Sequence, residues 1–285
     1  PQTGVSVAER RRARVEVSGN PQARAELKSR ADLRISPLGS GSDYSPFLQH
    51  LGIASLNIGF GGEGRDGSYH TLYDTYEHYT KFRDPGMEYG VALAKVAGRA
   101  TLRLANAPRL PFEFTALADN LSLYVEQIEE LAEDMRTETV ETNARIDSGV
   151  YALALDPTRS FAAPLHKEEV PFFNFAPLKN AMDALEQAAG AYAKITISGA
   201  AANEQQNKLL FTSERELTRD DGLPGRPWFT HHIYAPGFYT GYGVKTIPGV
   251  REAIEQRQYE LAEDEIYVAA EVIEGMAARV RELAE

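Results

Sequence analysis

The clearest periodic pattern in the chain lies beyond residue 110, where apolar residues recur at three- and four-residue steps. Leu117, Leu121, Tyr124, Ile128, Leu131 and Met135 share one side of a helix, while Glu126, Glu129, Glu133 and Asp134 lie mostly on the other. A second stripe starts around Leu178 and carries Met182, Leu185, Ala189, Tyr192 and Ile195. A third runs from about Asp264 to Leu283 through Ile266, Ala269, Ile273, Met276 and Val280. Amphipathic helices with short helical stretches between them predict a bundle. The proline-rich passages at 157–177 and 224–248 hold Phe161, Phe172, Phe173, Phe175, Trp228, Phe229 and Tyr234. Aromatic bulk of that kind favours burial, so these read as ordered connections rather than linkers.

The first 108 residues follow a different pattern. Pro46 to Leu51 reads as a short helix opening after Ser45, and Ile53 to Phe60 as a strand with apolar alternation. A glycine-rich loop, Gly61 to Gly67, follows. After Asp84-Pro85-Gly86, apolar residues at Met87, Val91, Val96, Ala100 and Leu104 predict a helix ending near Asn106-Ala107-Pro108. No internal repeat or low-complexity tract interrupts either region.

Composition narrows the class. The 285 residues are 43% hydrophobic and 25% charged, enough for a large core in one large or two medium domains. Mean hydropathy of -0.37 and the lack of an apolar run long enough to span a bilayer describe a globular chain with no membrane segment. No cationic, apolar leader opens the sequence. Zero cysteines exclude disulfides and thiolate metal sites, so a metal here would need histidine, carboxylate or water ligands. The net charge of -11 is uneven: residues 1–108 carry 14 basic and 11 acidic side chains, and the remainder 16 and 30. A bulk acidic surface disfavours nucleic acid, which needs clustered Lys and Arg. The basic run Arg10-Arg11-Arg12-Ala13-Arg14 reads as a solvated helical face within Val5 to Val17.

The best candidate for chemistry is Ser68-Tyr69-His70-Thr71-Leu72-Tyr73-Asp74-Thr75-Tyr76-Glu77, one histidine among tyrosines and carboxylates. A neutral imidazole is a common zinc ligand, and a phenol beside it can donate to a polarised carbonyl or an oxyanion. A single histidine taken alone is more often a packed or hydrogen-bonded structural group. His231-His232 is a tempting pair, but neighbours in extended chain point to opposite faces, which favours a structural reading. Without a GxGxxG after a strand or a Walker lysine, the glycines are turn chemistry.

Gly39-Ser40-Gly41-Ser42-Asp43, Phe47 to Ser55, Tyr69-His70 through Tyr76-Glu77, and Ile233-Tyr234-Ala235-Pro236 with Pro248-Gly249 occur in that order. Together they resemble the C-terminal part of the glutamate carboxypeptidase II and transferrin receptor family. The resemblance covers nearly the whole chain and implies an α/β fold class, the C-terminal part of a zinc-exopeptidase sheet domain over residues 1–108. A mainly α-helical bundle, a dimerisation domain that also closes the substrate cleft, would then fill residues 109–285. It implies that His70 is a zinc ligand, the last of a two-zinc site whose other ligands and general base lie upstream. Tyr69 would stabilise the tetrahedral oxyanion, Ser40, Gly41 and Ser42 would line the upstream substrate subsite, and Tyr242 would grip the substrate's C-terminal carboxylate. Read without the family, Tyr242 is a packed loop aromatic.

Departures from the family pattern bear on specificity. Gly241 stands where the glutamate-specific enzyme has a lysine, and Asn57 and Gly59 where it has arginines, so the resemblance implies a broader carboxypeptidase or an aminopeptidase. The intact protein is then expected to be a secreted or periplasmic, homodimeric zinc metallopeptidase acting on peptides, inactive as this isolated chain. The alternative is a transferrin receptor-like dimerisation or binding module without chemistry.

Overall fold

A computed structural model describes residues 4–30, 32–61, 67–156, 158–160, 162 and 164–285. The chain divides after Pro37 into two compact units. In the first, Ser6 and Glu9 form a reciprocal cap on α1 (Val7–Ser18), and the Asn20 side chain caps α2 (Pro21–Ser29). Arg12, inside the basic run, donates to the carbonyls of Leu27 (2.9 Å) and Arg30 at the C-terminal end of α2. Helix ends leave carbonyls unpaired and favour a cation there.

The second unit begins at Leu38. Pro46–His50 makes one wide helical turn, and α3 (Tyr76–His78) runs directly into another, Tyr79–Arg83. Asp84 then heads α4 (Glu88–Ala105), accepting from the Gly90 (2.9 Å) and Tyr89 (3.3 Å) amides. The Gly90 N–H in particular holds the Asp84 carboxyl below its ordinary range. Beyond it come α5 (Phe114–Asp147), α6 (Val150–Leu153), α7 (Ala176–Ile197) and α8 (Glu204–Thr212). A hairpin of β1 (Tyr234–Pro236) and β2 (Val244–Thr246) leads into α9 (Pro248–Glu255) and α10 (Tyr259–Ala284).

The core is the bundle that the stripes predict. α10 packs along α7 and against α9, and α5 closes on α7. Leu121, Ile128, Leu178, Leu185, Ile273 and Val280 are fully enclosed in one apolar cluster. Burial on this scale contributes about 1.5–3 kcal/mol for each large apolar side chain. α5 is longer than its stripe because the C-terminal turns gain other anchors: Arg257 donates to Thr139 Oγ1 (2.7 Å) and to the Glu168 carbonyl (2.8 Å). The proline-rich passages are ordered where described, with Phe173 packed on the core and Phe172 lying under Arg136, 3.9 Å from the guanidinium to the ring centre. Phe161 and Gly62 to Asp66 of the glycine-rich loop fall outside the described residues.

The expected α/β sheet domain does not appear among the described residues, whose only sheet is the β1–β2 antiparallel pair. Among the described residues Ile53 to Phe60 has no ladder partners. A strand satisfies its N–H and C=O groups only through neighbouring strands, so alternation alone cannot make a sheet. α4 likewise forms as predicted but buries none of its residues.

Candidate functional site

Two of the predicted site segments, with Ser40 and Gly241 201 residues apart in sequence, meet in space. The Ser40 N–H donates to the Tyr242 carbonyl (3.3 Å), and Ser40 Oγ donates to the Gly241 carbonyl (3.3 Å). Gly41 is at φ +91°, and a Cβ there would sit 2.7 Å from Tyr242 Cδ1. A Cβ on Gly39 would run into the Tyr242 carbonyl oxygen. Both glycines are therefore required by close approach, and Gly41 also by its backbone conformation. The Tyr242 ring remains exposed on top of this contact, as does Ser42.

Gln49 holds the first segment from beneath. Its side chain is fully buried, and its Nε2 donates to the carbonyls of Gly39 and Leu38 (3.3 Å). Its own main-chain carbonyl accepts from the Thr230 amide (2.9 Å). His50 follows with a stack on Trp228 at 4.8 Å and a 2.7 Å bond between Nδ1 and the Trp228 carbonyl. The wide turn at 46–50 thus ties the Ser40 segment to the connection that leads into the β hairpin.

That connection is built on buried polar groups. His231 Nδ1 accepts from the Ile233 (3.2 Å) and Tyr234 (3.0 Å) amides, so its proton lies on Nε2, which faces Glu214 at 3.0 Å. Burial pushes the Tyr234 phenol up and drives His232 down to about 4, so His232 is neutral near pH 7. Both histidines serve the structure. Past β1, the hairpin loop 237–243 closes through Gly237 N–H to the Gly243 carbonyl at 2.8 Å and carries Tyr242 at its far side.

Tyr69 and His70 form a separate feature. A tight turn closed by Thr71 N–H on the Ser68 carbonyl (3.0 Å) holds His70 at its third position in the left-handed region, φ +59°. That conformation is unusual for a side-chain-bearing residue, though histidine enters it more readily than most. It lays the imidazole on the Tyr69 ring at 3.8 Å with both exposed. Among the described residues, no hydrogen bond or ring contact joins this pair to Ser40–Ser42 or Tyr242. No group of three or more histidine, aspartate or glutamate side chains is placed to hold a metal ion among them either. His70 can offer one imidazole nitrogen, whereas a zinc site takes three or four protein ligands, so the described residues do not by themselves fit the metal.

A family model for the transferrin receptor-like dimerisation domain matches residues 173–281, the region of α7 to α10. The chain is 32% identical over 217 residues to a probable glutamate carboxypeptidase, LAMP1, of Arabidopsis thaliana, covering 76% of this chain and 27% of that protein. The chain is a C-terminal part of the glutamate carboxypeptidase family. A probable glutamate carboxypeptidase of Arthroderma benhamiae is 29% identical over 84% of this chain and 30% of its own length. The aminopeptidase NAALADL1 of Rattus norvegicus is 24% identical over 86% and 31% respectively. The chain thus spans about a third or less of the length of these relatives.

In this glutamate carboxypeptidase-like chain, sequence reasoning misses three residues that set the geometry: Gln49, Arg226 and Glu252. Gln49 lies within the Phe47 to Ser55 motif, but nothing in the motif marks its side chain as the donor that holds Leu38 and Gly39. Arg226 and Glu252 lie 26 residues apart, and neither carries a periodic or motif signal that pairs them.

Proposed function

We propose that the chain is the C-terminal portion of a zinc-dependent exopeptidase, carboxypeptidase-like in action, with residues 1–108 belonging to the peptidase domain and 109–285 to the dimerisation domain. The observation that carries this reading is the contact between Ser40–Gly41 and Tyr242, the two segments that the resemblance assigns to substrate binding. A peptide lying across it would meet the hydroxyl oxygens of Ser40 and Ser42 on one side and the Tyr242 phenol on the other, the Ser40 N–H being engaged by the Tyr242 carbonyl. The exposed Tyr69 hydroxyl would donate to a carbonyl oxygen as negative charge develops there. His70 would supply one ligand to zinc, with the other ligands and the general base provided from outside this chain. The unpaired 53–60 segment and the exposed α4 fit a peptidase sheet continued by other parts of a longer protein.

Specificity for glutamate does not follow from this chain. Gly241 supplies no cation, and the nearby Lys245 is engaged by both oxygens of Glu255 at 2.6 and 2.8 Å. The relatives bear both carboxypeptidase and aminopeptidase names, and hydrolysis of an amino-blocked against a carboxyl-blocked peptide separates the two. Homodimerisation through the matched domain and a secreted or periplasmic setting complete the proposal.

The test is peptide hydrolysis by the full-length protein and two variants. His70→Ala should abolish turnover with an unchanged circular dichroism spectrum, whereas Tyr69→Phe should retain turnover reduced on the order of 100-fold. Wild-type turnover in a folded His70→Ala variant would remove His70 from the mechanism. If the wild type cleaves no peptide, the competing reading of a dimerisation and binding module gains the ground.

A further inference from the structure

The root of the Tyr242 loop rests on a nearly buried ion pair that no part of the substrate contact uses directly. Arg226 and Glu252 have side chains only 11% exposed each, and the guanidinium Nη2 donates to Glu252 Oε2. Nη1 of the same guanidinium donates to the Pro236 carbonyl, the last residue of β1. The other carboxylate oxygen, Glu252 Oε1, accepts from the Phe238 amide at 2.6 Å. Phe229 and Phe238 flank the guanidinium, with ring centres at 5.5 and 5.7 Å. One pair therefore grips both sides of Gly237, at the point where the hairpin loop leaves β1.

Stability alone is a poor reason for this arrangement. Two charges removed from water recover their desolvation cost only in part, and apolar replacements of buried ion pairs are often neutral or stabilising. A buried pair does supply direction: bonds from fixed donors and acceptors admit one backbone orientation where an apolar contact admits many. The loop beyond Phe238 carries Tyr239, Thr240, Gly241 and Tyr242 into solvent. Among the described residues its hydrogen bonds beyond Phe238 reach outside the loop only to Ser40; the rest are internal, from Thr240 Oγ1 to the Gly243 carbonyl (3.0 Å), Thr240 N–H to the Gly237 carbonyl (3.3 Å), Gly243 N–H to the Thr240 carbonyl (3.2 Å) and the Gly237–Gly243 closure.

We propose that Arg226 and Glu252 are positioning residues for the substrate site, fixing the 237–243 loop so that Tyr242 stands against Ser40 and Gly41 in the geometry that receives a peptide. The proposal rests on the peptidase reading for its substrate but not for its structural content. Residue 252 sits on α9, whose burial against α10 gives the carboxylate a rigid base. Arg226 spans from the 218–233 connection to that base, so the loop is referenced to the bundle as well as to its own paired strands.

The test compares the wild type with Glu252→Gln and with the apolar double variant Arg226→Met/Glu252→Leu, in this chain and in the full-length protein. Amide exchange reads the loop without any activity. In the double variant the Phe238 and Ser40 amides should exchange about tenfold or more faster while the melting temperature is held. Glu252→Gln keeps an acceptor for Phe238 N–H and should fall between the two. In hydrolysis, KM should rise about tenfold with kcat within about threefold, the mark of lost substrate placement rather than lost chemistry. Unchanged exchange and unchanged KM in the folded double variant would overturn the proposal, as would a loss of kcat that simply tracks a fall in melting temperature. If the wild-type full-length protein cleaves no peptide, the peptidase reading falls, and the exchange rates alone decide the positioning.

Discussion

Single residues set the tolerance of the site. Gly41→Ala brings a methyl group to within 2.7 Å of the Tyr242 ring at a φ that disfavours side chains. The expected result is a loss of about 1–3 kcal/mol in denaturant unfolding, with faster amide exchange at Ser40 as the contact opens. An unchanged midpoint would show that the two segments do not press together. Glu265 gives a pH prediction. Burial first, and then the Asp221 charge, raise its carboxyl to about 7, above the ordinary 4.5 of a glutamate. A raised folded value means that the folded state keeps a proton which the unfolded state releases, so this stabilisation is full below about pH 4.5 and lost as pH rises through about 7. His232 acts in the opposite sense: lowered to about 4, it contributes stability above its ordinary 6.5 that is lost as pH falls through 4. The two slopes oppose each other between those limits. Glu265→Gln should therefore gain on the order of 2–3 kcal/mol relative to wild type between pH 5 and pH 8, measured by urea unfolding. A difference independent of pH would mean that Glu265 is charged throughout.

At the scale of elements, the wide turn at 46–50 matters more than its length suggests. It carries Gln49, whose amide side chain holds Leu38 and Gly39 while its main-chain carbonyl holds Thr230. Gln49→Ala leaves the Leu38 and Gly39 carbonyls without that donor and opens a small cavity. The expected cost is about 1–3 kcal/mol, with the Ser40 and Thr230 amides exchanging faster together. Loss of protection at Ser40 alone would show that the two attachments are independent. The helices of the bundle behave differently. Ile273 on α10 is enclosed by the core, and Ile273→Ala should lower stability by about 2–5 kcal/mol without altering the exchange order of the Tyr242 loop.

For the whole molecule, the predictions concern metal and assembly. The 285-residue chain, with His70 as its candidate ligand, should not retain zinc after mild chelation; stoichiometric metal by elemental analysis would show a complete site within it. The α10 stripe from Ile266 to Leu283 is buried within its own bundle, so a two-fold interface must use other faces. The longer chain also exposes Leu56, Ile58, Phe60, Val91 and Val96. Sedimentation should find both the 285-residue chain and a fragment beginning at Arg109 dimeric. A folded, monomeric fragment at concentrations where the longer chain self-associates would assign the association to the exposed 53–104 surface instead.

Sequence by itself determined the elements whose cause is local. The stripes at 117–135, 178–195 and 264–283 become α5, α7 and α10, because a three- to four-residue apolar period gives a helix one apolar face, and these three faces share a core while that of α4 stays exposed. The ordered motifs were also legible, and they lead to the family and to Ser40, Gly41 and Tyr242. Only the tertiary structure decided that Ile53 to Phe60 has no ladder partners among the described residues, since pairing is a property of neighbours and not of alternation. It alone brought Ser40 against Tyr242 and joined Arg226 to Glu252, for contacts across tens or hundreds of residues are set by how the helices pack. A buried charge pair leaves no periodic trace in sequence, because its partners need only converge in space.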